Sequence, residues 1–261
     1  MQAVVAAGDT LWVLDSPQVI SGAVPAPVKL VRLGLEDAKV QRIYTFEDLP
    51  VGSVALNDVR IDTRRSLAYL SDPKRAALVV LDLMTGMTRT LLAGTRPTSA
   101  DPNYVLHLDG HDVVDSKGRP FANNVNGIAL SNDGEWFYFR AITQSHLYRI
   151  RTSHLADASL SDAALLSHVE DLGDVGVSRG MFADKEGNVY MTDSINYAIT
   201  KWSPGKALSQ VVVDPRLSWP ETLALGSDGT LYITAAQINR TKFFSTPERV
   251  DYPFRVYKVS R

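Results

Sequence analysis

The chain has 261 residues, 27 Lys plus Arg against 29 Asp plus Glu, a formal charge of −2 and no cysteine. With 45% hydrophobic and 21% charged residues it can bury a full-sized core, which excludes an intrinsically disordered segment. Balanced charge without a long basic run removes the footprint of nucleic-acid binding, and the lack of cysteine removes disulfides, thiolate metal centres and cysteine nucleophiles.

The longest wholly apolar run, Ala76 to Leu81, is far short of the roughly 20 residues that span a bilayer, so no membrane insertion is expected. The first nine residues carry neither the positive region nor the apolar run of a signal peptide. From Val4 to Leu11-Trp12-Val13-Leu14-Asp15 the sequence reads as two alternating strands. That pattern returns four times. Leu56 to Ile61 leads to Ala68 to Asp72, Val125 to Leu130 to Phe137 to Phe139, Ser178 to Met181 to Val189 to Asp193, and Pro220 to Leu223 to Leu231 to Thr234. Asn132-Asp133-Gly134, Lys185-Glu186-Gly187 and Ser227-Asp228-Gly229 supply the turn chemistry of short hairpins. Third strands are predicted at Leu78 to Leu81, His146 to Ile150, Ile199 to Trp202 and Phe254 to Val259. One helix is predicted, Ser161 to Leu166, with Ser161 as N-cap and Asp162 in its first turn.

Repeated antiparallel meanders that cannot each bury both faces predict an all-β fold, a β-propeller with about five blades, spanning 1–261 as a single domain. The ring does not close on paper: the last unit offers three strands before Arg261, and only Met1 to Ala3 precede the first. Either the propeller has five blades and a loose seam, or it is a six-blade design without its amino-terminal blade. An open blade edge predicts self-association.

Asn126-Gly127-Ile128-Ala129-Leu130-Ser131, Leu11-Trp12-Val13-Leu14-Asp15-Ser16, Ala68-Tyr69-Leu70-Ser71-Asp72 and the tail Pro253-Phe254-Arg255-Val256-Tyr257-Lys258 resemble the yellow / major royal jelly protein family over nearly the whole chain. The resemblance implies a six-bladed propeller, an amino-terminally truncated chain beginning at the second blade, and export to an extracellular or periplasmic space. Through Gln237-Ile238-Asn239-Arg240 it points to bacterial relatives. It does not imply one chemistry, because insect relatives include pigment-pathway proteins, salivary binders of biogenic amines and storage proteins.

In a propeller the innermost strand of each blade lines the central channel. The position two before the first apolar residue of that strand recurs as Asn57, Asn126, Arg179 and Glu221, the leading candidates for an axial ligand site. Second strands run back to the same mouth and bring Asp72 and Asp193 nearby, with Asp15 and Arg140; Trp219 precedes Glu221 and could stack on an aromatic or amine ligand. The competing reading makes the Asn and Asp residues turn formers and Trp219 packing between blades.

Three functions follow: a module binding a small polar or aromatic molecule, a divalent-metal-dependent lactonase-like hydrolase, or a non-catalytic interaction or storage protein. The hydrolase reading draws on a weaker resemblance to gluconolactonase and senescence-marker propellers. Asn57, Asn126 and Glu221 are hard oxygen donors suited to calcium or magnesium, whereas Arg179 would repel a cation and favour an anion. Gly176-Val177-Ser178-Arg179-Gly180 spells G-x-S-x-G, but a strand is predicted after it where a nucleophile elbow needs a helix, and all five histidines precede Ser178. His107 and His111 flank Asp109-Gly110, which predicts a hairpin tip rather than a helical zinc pair.

Overall fold

A computed structural model of the chain describes residues 1–16, 26–50, 52–114, 117–242, 244–245 and 247–259. Alternating apolar side chains produce consecutive antiparallel sheets, each strand paired with its sequence neighbour. The first sheet holds β1 (Ala3–Ala7), β2 (Thr10–Asp15), β3 (Lys29–Gly34) and β4 (Val40–Tyr44). The second holds β5 (Val59–Asp62), β6 (Leu67–Asp72), β7 (Ala77–Asp82) and β8 (Thr88–Leu91). A ribbon of β9 (His107–Leu108) and β10 (His111–Asp112) then precedes the third sheet, β11 (Val125–Leu130), β12 (Trp136–Ala141), β13 (His146–Arg151) and β14 (Glu170–Asp174). Two short helices, α1 (Thr152–Ala156) and α2 (Asp162–Ser167), join β13 to β14. The fourth sheet comprises β15 (Met181–Ala183), β16 (Val189–Asp193), β17 (Ala198–Trp202) and β18 (Ser209–Val213). The fifth has three strands, β19 (Pro220–Leu225), β20 (Leu231–Ala235) and β21 (Val256–Val259).

The five predicted units and the three-stranded last one are therefore present. The helix expected at Ser161 is α2, with the Ser161 hydroxyl accepting from the Ala164 N–H at 3.3 Å. Helix α1 and the fourth strands β4, β8, β14 and β18 were not anticipated. These outer strands carry little apolar alternation; four of the five residues of β4 are exposed.

Packing between sheets explains the ring. One buried cluster joins the first two blades through Trp12, Leu14 and Leu30 against Val59, Leu70 and Val79. A second sets Tyr69, Leu78 and Val80 against Ile128, Phe137 and Phe139, with Leu155 of α1 and Leu165 of α2 closing its rim. A third joins Ala129 and Tyr138 to Met181 and Met191, and a fourth joins Tyr190 and Ile199 to Leu223 and Ile233. Among the described residues no such cluster joins the fifth blade to the first. The free face of the first blade instead presents two cross-strand ladders, Val4-Val13-Val31-Ile43 and Ala6-Leu11-Leu33-Val40. Its ends are open to water, with Val4 45%, Ile43 51% and Val40 57% exposed. The seam is thus an open face rather than only an open edge.

Candidate axial binding site

The same local device begins several innermost strands. Where β5 begins, Asn57 N–H donates to the Ser71 carbonyl at the end of β6 at 2.9 Å. Before β15, the N–H groups of Arg179 and Gly180 both donate to Thr192 Oγ1, at 3.1 and 3.0 Å, and within β19 Thr222 N–H donates to Thr234 Oγ1 at 3.0 Å. Asn57, Arg179 and the residue after Glu221 are thereby anchored to the second strand of their own blades.

Two glycines bring neighbouring blades into near contact there. A Cβ on Gly127 would stand 2.4 Å from the Arg179 carbonyl oxygen, and one on Gly180 would stand 1.7 Å from that of Glu221, so only glycine permits the approach. Asn126, Arg179 and Glu221 thereby become successive neighbours. Ser71 Oγ adds a bond to the Asn126 carbonyl at 2.9 Å, and Arg60 Nη2 reaches from the second blade to the Met181 carbonyl of the fourth at 2.9 Å.

The result is a cavity of about 450 Å³ on the axis, lined by all five innermost strands. Asn57, Asn126, Arg179 and Glu221 all line it, so the four leading candidates converge. Sequence reasoning missed Gln2, Asp58 and Arg60, which also line it. Gln2 Nε2 donates to Asn57 Oδ1 at 2.9 Å, and Arg60 pairs with Asp58 at 2.7 Å. Polar alternation around Val59 was the available signal. The rest of the lining is largely apolar, with Leu130, Phe182, Leu223 and Leu225 farther along the strands.

Arg179 is 1% exposed, and burial pulls its guanidinium down to about 10, against the field of Glu221. It is still a cation at neutral pH. Its Nη1 donates to Ser194 Oγ, and its guanidinium carbon lies 3.3 Å from the centroid of the Trp219 ring. Nε and Nη2 are buried without a hydrogen-bond partner, as is Glu221 Oε2. Burial raises the Glu221 carboxyl above its ordinary range, while Arg179 and the nearby Trp219 N–H, which falls outside hydrogen-bond geometry, pull the other way. Arg140 is also fully buried and held down to about 10 by desolvation. Backbone carbonyls of Ala141, Gln144 and Gly176 take its Nε and Nη2, leaving Nη1 unpartnered.

The other candidates lie off the cavity lining. Asp72 is fully buried, accepts from Ala55 and Lys74 N–H and pairs with Arg75 at 2.5 Å. Asp193 accepts from Ile195 N–H, Asn196 N–H and the Asn196 side chain in the turn after β16. Both have the bonding of turn formers. Trp219 is 2% exposed and has Arg179 against its face, so its ring supports the guanidinium rather than a wall of the cavity.

Trp219 also belongs to a buried cluster with Leu106, Leu108, Val113, Ile142 and Val177. Phe121 and Phe244 pack on its ring at centroid distances of 6.2 and 6.0 Å. The β9–β10 ribbon thus forms part of a cap over the start of the innermost strands. As predicted, Asp109-Gly110 is the hairpin tip; Asp109 accepts from Tyr197 Oη and, at 2.6 Å, from Asn239 Nδ2. His107 pairs with Asp112 at 3.0 Å on the surface. Ser178 is 1% exposed and donates to the Gly180 carbonyl at 3.1 Å, ahead of strand β15 rather than a helix. Among the described residues no group of three or more His, Asp or Glu side chains is placed to hold a metal ion.

A ring of antiparallel blades around a charged axial cavity defines a β-propeller. The chain belongs to the major royal jelly protein family, whose model matches residues 1–258. No curated protein matches it by sequence. Among solved structures it is similar to a chain of the nidogen/laminin complex, with 16% identity, a TM-score of 0.58 and coverage of 87% of this chain and 70% of that one. Similar too are a luciferin-regenerating enzyme, at 16% identity and TM-score 0.56 over 97% and 84%, and a gluconolactonase from Xanthomonas campestris, at 13% and 0.50 over 79% and 62%. At these identities the likeness shows the propeller fold alone.

Proposed function

We propose that the axial cavity binds a small molecule with a polar head and an apolar or aromatic body, the head held by Asn57, Asn126, Arg179 and Glu221. The observation that carries this reading is the pair Arg179 and Glu221. They have opposite charge and line one cavity, yet no ion pair joins them and each keeps a buried polar atom without a partner. Unpaired buried charge is costly, so such an arrangement is retained where a ligand completes it. Asp72 and Asp193 shape the surrounding turns, and Trp219 fixes the plane of Arg179.

A thermal-shift screen of amines, sugar acids and phenolic acids tests the reading. Binding at 100 times Kd stabilises by about 2.7 kcal/mol, which gives a shift of several degrees. The expected result is stabilisation by at least one class, lost in Arg179→Gln. Failure of every class would remove the proposal. A cation-dependent hydrolase, favoured by the oxygen donors Asn57, Asn126 and Glu221, would instead show lactone hydrolysis that a chelator and Glu221→Gln both abolish. Arg179 beside those donors weighs against it.

A further inference from the structure

Two buried cations sit at the start of the innermost strands with no acid paired to either. Arg140 and Arg179 are 0% and 1% exposed, burial pulls each guanidinium below its ordinary range, and among the described residues neither makes an ion pair. Their hydrogen bonds go to backbone carbonyls and one hydroxyl, Ser194 Oγ; Glu221 acts on Arg179, and Asp174 and Asp193 on Arg140, through space without an ion pair. Which atoms remain unpartnered is informative. In Arg179 they are Nε and Nη2, which share one edge of the guanidinium plane and together form the fork that takes both oxygens of a carboxylate. The Ser194 bond and the Trp219 ring fix that plane before any ligand arrives. Glu221 Oε2, the other unpartnered atom on the cavity lining, accepts hydrogen bonds when ionised.

Resting on the axial-cavity reading, we propose that the ligand class is a carboxylic acid bearing a hydroxyl or ammonium group on the adjacent carbon, with an apolar body. The carboxylate takes the Nε–Nη2 fork of Arg179, Arg140 adds a second positive charge behind it, and the neighbouring donor bonds Glu221 Oε2. Leu130, Phe182 and Leu225 receive the body. An amine without an acid leaves the fork unpaired, and a simple acid leaves Glu221 unpaired. Either omission forfeits a charge-assisted bond and leaves a buried polar atom unpaired.

The test is calorimetric titration of the intact chain with mandelate, phenylglycine, phenylacetate, mandelamide and phenethylamine, which share one ring and differ only at the head. Mandelate or phenylglycine is expected to bind at least about tenfold tighter than phenylacetate, mandelamide and phenethylamine. Arg179→Lys, which keeps the charge and loses the fork, is expected to weaken the acid at least tenfold and to abolish the acid-over-amide preference. Mandelamide or phenethylamine binding as tightly as the acids would overturn the acid class while leaving the axial site standing. Binding by none of the five, together with no hit in the broader thermal screen, would overturn both. The wild-type series needs no variant, so a poorly folded Arg179→Lys does not blunt the result.

Discussion

At the residue scale the decisive feature is how little separates a structural polar group from a functional one. Asn57, Asn126, Asp72 and Asp193 look alike in sequence, each next to an apolar strand. The structure parts them by bonding: Asp72 and Asp193 spend their oxygens on turn N–H groups, whereas Asn57 and Asn126 line the cavity. Arg179 and Glu221 were legible because each stands two before the first apolar residue of an innermost strand, but the placement of Arg179 on Trp219 was not, since no periodicity reports a stacking contact. Glu221 gives a pH test. Burial raises its carboxyl above the ordinary value of 4.5, so in that window the folded chain holds a proton the unfolded chain has released. Stability from this group is present at low pH and is lost as pH rises through the raised value. The melting temperature of the native chain minus that of Glu221→Gln should therefore fall as pH is taken from about 4 towards neutrality; a difference that rises or stays flat contradicts the assignment. Gly180 gives a packing test. A methyl group there meets the Glu221 carbonyl oxygen, and Gly180→Ala should cost at least about 2 kcal/mol in denaturant unfolding. A cost below about 0.5 kcal/mol would mean that the blades do not approach at this point.

At the scale of elements, strands with strict alternation and Gly-containing turns were readable, and strands without it were not. The first three strands of most blades bury apolar side chains between sheets, which imposes a period of two. The outermost strands face water on one side and a single neighbour on the other, so β4, β14 and β18 carry mixed residues. The cap escaped for a different reason. Its structure comes from long-range contacts of Leu106, Leu108 and Val113 with Ile142, Val177 and Trp219, which no local window contains. Only its hairpin tip, Asp109-Gly110, announced itself. Asp109 ties that tip to Tyr197 and Asn239, so Asp109→Ala should cost roughly 1–3 kcal/mol and speed amide exchange across residues 104–114. Unchanged exchange there would show that the tip is held by its apolar contacts alone.

At the scale of the molecule, four buried clusters join five blades, and among the described residues none joins the fifth to the first. The strand count in the sequence pointed to an exposed edge, whereas the structure shows an exposed face on the first blade. Val4, Ile43 and Val40 make that face apolar and accessible, a condition that promotes association. Sedimentation velocity should show concentration-dependent self-association that Ile43→Lys reduces without lowering the melting temperature; a monomer at all concentrations would show that the face is tolerated in water.

Residues far apart in the chain, Asn57, Asn126, Arg179 and Glu221, line one axial cavity. Hydrogen exchange with and without the tightest ligand from the titration series measures this directly, because the chain divides into peptides that report each blade. Simultaneous protection of the segments around Asn57, Asn126, Arg179 and Glu221, with Arg179→Lys removing all four together, is the expected result. Protection confined to one blade, or falling on the outer strands, would contradict it.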